Sequence, residues 1–83
     1  MTMTNIEQRL IDIIKDYSKI DFNVVPEMDL IFDLGFDSLS FTELIVACED
    51  EFKIEIEIDH LSMEASRTIK GLAAAIESLL GSN

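Results

Sequence analysis

Asp33-Leu34-Gly35-Phe36-Asp37-Ser38-Leu39-Ser40-Phe41-Thr42-Glu43-Leu44-Ile45-Val46-Ala47-Cys48-Glu49-Asp50-Glu51-Phe52 is the stretch on which the fold turns. A glycine-containing loop ends at Asp37. Beyond it, Leu39, Leu44, Ile45, Cys48 and Phe52 fall mostly three to five positions apart. That spacing predicts a helix over Ser38 to Lys53 with these five residues as its core stripe. Asp37 suits the N-cap, because its carboxylate can accept the orphan amide protons of the first turn. Glu43, Glu49, Asp50 and Glu51 make the rest of this helix acidic.

Upstream, Ile6, Leu10, Ile13, Ile14 and Tyr17 recur on one helical face, which predicts an amphipathic helix over Asn5 to Ser18. Thr4 and Glu7 have the spacing of a capping box at its start. Glu7, Arg9, Asp12, Lys15 and Asp16 lie on the other face. The connection from Lys19 to Asp37 holds the only proline, Pro26. A loop that long needs anchors in the core, and Phe22, Val24, Leu30, Phe32 and Leu34 are the candidates. A short helical turn is expected near Met28 to Phe32.

Downstream, Ile54-Glu55-Ile56-Glu57-Ile58 alternates like a strand. The chain offers no second strand signal for it to pair with, so it reads as an extended connector whose isoleucines pack between helices. Leu61 to Ala65 suits a short helix, and His60 a loop. Ile69, Leu72, Ala73, Ile76, Leu79 and Leu80 give an apolar face to a last helix over Ile69 to Leu80, with Thr68 as N-cap and Gly81 as the stop. The fold class is therefore all-α: a small antiparallel bundle of three main helices, one short helix and a long first loop, forming one domain over residues 1–83.

Eighty-three residues suffice for one small domain, and such a domain buries only about 60% of its unfolded surface. Six basic against 17 acidic residues leave a net charge of −11, which argues against nucleic acid and anionic lipid as partners, since both require cationic neutralisation. The 48% hydrophobic content argues against disorder. One Cys and one His cannot form a disulfide or a Cys/His metal site within the chain, and they make a poor catalytic inventory. No signal peptide or membrane span is legible, so a cytoplasmic protein is expected.

Residues 33–39, Asp-Leu-Gly-Phe-Asp-Ser-Leu, place a serine in the first turn of the acidic helix. This motif resembles that of the acyl carrier proteins, Asp-Leu-Gly-x-Asp-Ser-Leu, at every fixed position. The resemblance continues through Glu43-Leu44 and Glu49-Asp50-Glu51-Phe52. It resumes at Thr68-Ile69-Lys70-Gly71-Leu72, which is similar to polyketide and peptide-synthetase carriers. It implies a free-standing, monomeric carrier and not an enzyme. Ser38 would receive a covalent 4′-phosphopantetheine from coenzyme A, whose thiol would carry acyl groups as thioesters in fatty-acid or polyketide-type biosynthesis. Gly35, Asp37 and Leu39 would flank the attachment, and Glu43, Val46, Glu49 and Asp50 would dock partners. Those partners would be a phosphopantetheinyl transferase and acyl-loading, acyl-transfer or condensing enzymes with basic surfaces. Ser40 stands where fatty-acid carriers often have an acidic residue, and the stretch from Phe52 to Thr68 is longer than in common relatives. Phe36 reads either as a loop anchor or as an exposed contact beside the arm. Cys48 reads as a small buried hydrophobe and not as the working thiol.

Other classes compete. A peptidyl, aryl or alanyl carrier stays open, as does a structural adaptor. A calcium sensor would need EF-hand spacing. A loop begun at Asp29 puts Ile31, Leu34 and Ser40 at positions 3, 6 and 12, and one begun at Asp33 puts Gly35, Ser38 and Leu44 there, so neither offers the ligands. A serine hydrolase lacks Gly-x-Ser-x-Gly.

Overall fold

A computed structural model describes residues 4–57 and 63–81. Four helices follow in order: α1, Asn5–Ser18; α2, Ser38–Phe52; α3, Met63–Ser66; and α4, Ile69–Leu80. No strand occurs among the described residues, and Ile54 and Ile56 of the alternating segment pack against the helix core in a connector without regular secondary structure. His60 and Ile58, and the expected start of the short helix at Leu61, lie outside the described residues.

Local chemistry sets the helix ends. The Thr4 hydroxyl accepts from the Glu7 amide at 3.1 Å while Glu7 accepts from the Thr4 amide at 2.9 Å, closing the expected capping box. Thr68 caps α4 through the Gly71 amide. Lys19 and Lys53 end α1 and α2 in the left-handed conformation, at φ 55° and 56°, where glycine is commoner. Each places a cation at the negative end of its helix dipole, which offsets part of the backbone cost.

The core centres on Leu10, Ile14, Leu30, Leu44, Ile45, Cys48, Ile69, Leu72 and Ile76, all fully buried. Each large aliphatic among them contributes about 1.5–3 kcal/mol on burial. α1 packs against both α2 and α4, so its buried arc is wider than one stripe and includes Ile11, which the sequence pattern omitted. α1 and α2 run antiparallel. Arg9 at the start of α1 pairs with Glu51 at the end of α2 at 2.7 Å and lies over the Phe52 ring at 4.5 Å, while Tyr17 at the end of α1 reaches Glu43 and Phe36.

Five expected core residues are not in the core, one of them Leu80 at the last position of α4, 37% exposed. Leu39 is 69% exposed; the stripe of α2 is Phe41, Leu44, Ile45, Cys48 and Phe52. At about 100° per residue, Leu39 lies nearly opposite Phe41 on the helix. Tyr17 is also exposed, because its hydroxyl finds a polar partner across the α1–α2 gap. Phe22 and Phe32 are exposed as well, leaving Val24 and Leu30, with partly buried Leu34, as the loop's anchors.

The long loop is held mainly by backbone pairing. Met28 N donates to Val25 O in a turn with Pro26 at its second position. Asp29 Oδ1 then accepts from the Ile31 and Phe32 amides, starting the single helical turn expected nearby, which closes with Asp33 N on Asp29 O. Across to the α3–α4 corner, Leu30 N donates to Arg67 O at 2.7 Å, Ile69 N to Met28 O at 3.2 Å and Lys70 N to Pro26 O at 2.7 Å. Arg67 Nε also pairs with Asp29 Oδ2 at 2.7 Å, and its guanidinium lies over Phe32.

Candidate functional site

The anchored loop delivers its last residues to the start of α2. Phe36 N donates to Leu30 O, and the Phe36 ring is buried at 4% exposure beside Tyr17. Of its two readings, loop anchor is the one that holds. Gly35 adopts φ +75°, in the left-handed region where glycine is at ease, and a Cβ there would meet nothing within 4 Å. The loop is thus both sharply turned and open on its outer side.

Asp37 caps α2 as expected: its Oδ1 accepts from the Ser40 amide at 2.9 Å. That bond, followed by one from the Ser40 hydroxyl, holds its carboxyl below the ordinary carboxylate range. Ser38 is the first residue of the helix and is exposed. Its carbonyl accepts from Thr42 Oγ1 at 2.9 Å, while its own hydroxyl enters no hydrogen bond among the described residues. An exposed, uncommitted hydroxyl thus stands on a rigid helix start, where the dipole favours an anionic substituent. These residues fit a phosphodiester-linked group.

Along α2, Leu39, Glu43, Val46 and Asp50 follow at i, i+4, i+7 and i+11 and are all exposed, so they form one stripe that starts beside Ser38. Glu49 is set apart from it. It is half-buried, and its carboxylate accepts from the Ile56 amide at 2.7 Å, pinning the connector. Val46 and Leu39 are the apolar members, at 58% and 69% exposure. Cys48 lies on the opposite side, fully buried, and burial pushes its thiol up to about 12, which suits a core residue and not a nucleophile.

Among the described residues no group of three or more His, Cys, Asp or Glu is placed to hold a metal ion. Asp29 and Asp33, which began the two EF-hand registers, are occupied by backbone amides and by Arg67. No helix among the described residues is long and apolar enough to cross a membrane.

Residues 8–76 match the family model described as "Phosphopantetheine attachment site". The chain belongs to the acyl carrier protein family. The acyl carrier protein AcpXL of Rhizobium etli is 33% identical over 87 residues, covering 93% of this chain and 95% of that protein. The acyl carrier protein of Nitratidesulfovibrio vulgaris strain Miyazaki F is 45% identical over 56 residues, covering 66% and 74%. A solved chain from Mycobacterium tuberculosis, described as a candidate acyl carrier protein, superposes with a TM-score of 0.77 at 27% identity, covering 88% of this chain and 96% of that one. An acyl carrier protein is a carrier and not an enzyme, and it holds its acyl groups on covalently attached 4′-phosphopantetheine. This carrier therefore works through partner enzymes, among them one that attaches the arm.

The site's supports were only partly legible beforehand. The buried Phe41 could have been found from sequence, because 41, 44, 45, 48 and 52 make a more regular helical stripe than any set including Leu39. The Arg67–Asp29 clamp joins residues 38 apart and had no local signal.

Proposed function

We propose that Ser38 bears the phosphopantetheine and that the protein is a monomeric, cytoplasmic carrier of acyl intermediates in fatty-acid or polyketide-type biosynthesis. The observation that carries the attachment is the exposed, uncommitted Ser38 hydroxyl at the Asp37-capped start of α2, inside the fully matched motif of residues 33–39. The arm's thiol supplies the thioester chemistry. The chain itself offers the hydroxyl, the open turn at Gly35 and a rigid base. Incubation with coenzyme A and a broad-specificity phosphopantetheinyl transferase is expected to add one phosphopantetheine to the wild type and none to Ser38→Ala. Labelling of that variant, or labelling traced to Ser40, would overturn the assignment.

The exposed stripe of α2 supports a docking role for Leu39, Glu43, Val46 and Asp50, with Glu49 contributing mainly by fixing the connector. The partners it fits are loading, transfer or condensing enzymes that present cations around an apolar centre. Exposed ion pairs are each worth about 0.2–1 kcal/mol, so several act together, and their effect appears in association rate and salt sensitivity. Glu43→Lys and Asp50→Lys are expected to slow partner transfer most at low salt. Asp12→Lys on α1 is the suitable control, since Glu7 closes the capping box. Equal impairment by the control would mean that general acidity alone matters.

A further inference from the structure

Tyr17, the only tyrosine, stands in the last turn of α1 with its ring 5.9 Å from that of Phe36, tilted by 31°. Its hydroxyl donates to Glu43 Oε1 on α2. A polar contact therefore joins the end of α1 to the middle of the exposed stripe.

The acidic residues of α2 differ in how they are held. Glu51 is neutralised by Arg9, and Glu49 is used by the Ile56 amide. Glu43 alone among these three is held by a neutral side-chain donor, which fixes a carboxylate without cancelling its charge. The donor is itself stiff: a tyrosine has two side-chain torsions, and this one leans on a buried ring. A free surface glutamate would lose rotamer freedom when a partner's cation arrived. Glu43 has lost part of it already, with Oε2 left for the partner.

We propose that Tyr17 is a positioning residue for partner docking: its hydroxyl presents the Glu43 carboxylate, pre-oriented and still anionic, to the cations of partner enzymes. This rests on the reading of α2 as the docking face. The geometry is supported by the raised pKa of the Tyr17 hydroxyl, caused first by its bond to Glu43, then by partial burial, then by the negative charges of Glu43 and Asp37.

With one Tyr and no Trp, tyrosinate absorbance reports on this hydroxyl alone. It is expected to titrate above 10.0 in the wild type and to move down toward 10.0 in Glu43→Gln. Arm attachment by a phosphopantetheinyl transferase with coenzyme A is then measured for the wild type, Tyr17→Phe, Glu43→Gln and the double variant, after melting shows all four folded. Tyr17→Phe, which keeps the ring, is expected to raise KM for the carrier about 2–10-fold with kcat unchanged, and to add nothing in the Glu43→Gln background. A tyrosinate titration unmoved by Glu43→Gln would overturn the proposal. So would an unchanged KM in Tyr17→Phe alongside a raised one in Glu43→Gln, or a Tyr17→Phe effect that persists without Glu43. An unchanged KM in Glu43→Gln would instead overturn the docking role of Glu43 itself.

Discussion

Replacing Gly71 by alanine puts one methyl group where the backbone of another helix already stands. Gly71 lies in the first turn of α4, and its Cβ would fall on the Ala65 carbonyl oxygen, with the carbonyl carbon at 2.7 Å and Thr68 Oγ1 at 3.1 Å. No side chain can turn away to relieve this, so α3 must move off α4. Overpacking costs about 1–3 kcal/mol, and a backbone collision belongs at the upper end. Alanine returns about 1 kcal/mol through helix propensity, leaving a loss of about 2 kcal/mol. A chain of 83 residues has a total stability of about 4–12 kcal/mol. For a domain this size such a loss lowers Tm by roughly 8–16 °C. The same corner receives the backbone bonds from Pro26, Met28 and Leu30, so the loss should also reach the loop that carries residues 33–39. Thermal unfolding followed by circular dichroism, with hydrogen exchange at the Leu30, Ile69 and Lys70 amides, measures both effects. Gly35→Ala is the comparison, since it meets a left-handed φ but open space, and should cost about 1–2 kcal/mol. A Gly71→Ala variant as stable as the wild type, or more stable as propensity alone would make it, refutes the close approach of α3 and α4.

Three further outcomes are expected. Cys48, buried and with its thiol raised to about 12, should resist alkylation at pH 8 in the folded protein and react at an ordinary rate in denaturant; rapid native labelling would contradict the packing. The net charge of −11 should make Tm rise with added salt, and further with millimolar magnesium, as repulsion is screened; flat titrations would mean that the carboxylates are already compensated. Asp29 has its carboxyl below the ordinary 3.8, because burial, which raises it, is outweighed by bonds from the Phe32 and Ile31 amides and by Arg67. A depressed folded pKa adds stability above the unfolded value that is lost as pH falls through the folded one. Wild type should therefore melt above Asp29→Asn at pH 6, and the gap should close as pH drops below 3.8; a constant gap would place the effect in shape and not in charge.

Local patterns carried much of the molecule. The boundaries of α1 and α4, the capping box at Thr4 and Glu7, the Asp37 cap and the motif around Ser38 were readable because each depends on neighbours within about four residues, where helix hydrogen bonding and periodicity operate. The alternating isoleucine segment was resolved by a global consideration, that an isolated strand has nothing to pair with, and its described part forms no strand. Which apolar residues face outward was decided by tertiary packing. Val46, Phe32 and Tyr17 look like core residues by type, yet the way the helices and the loop pack leaves them outside. The clamp of Arg67 on Asp29, the seating of the loop on the α3–α4 corner, the collision that requires Gly71 and the hold of Tyr17 on Glu43 all join residues that meet only once the helices have packed. Periodicity fixes a residue's angle around its own helix; the position of the neighbouring helix then decides whether that angle points to core, to solvent or to a partner.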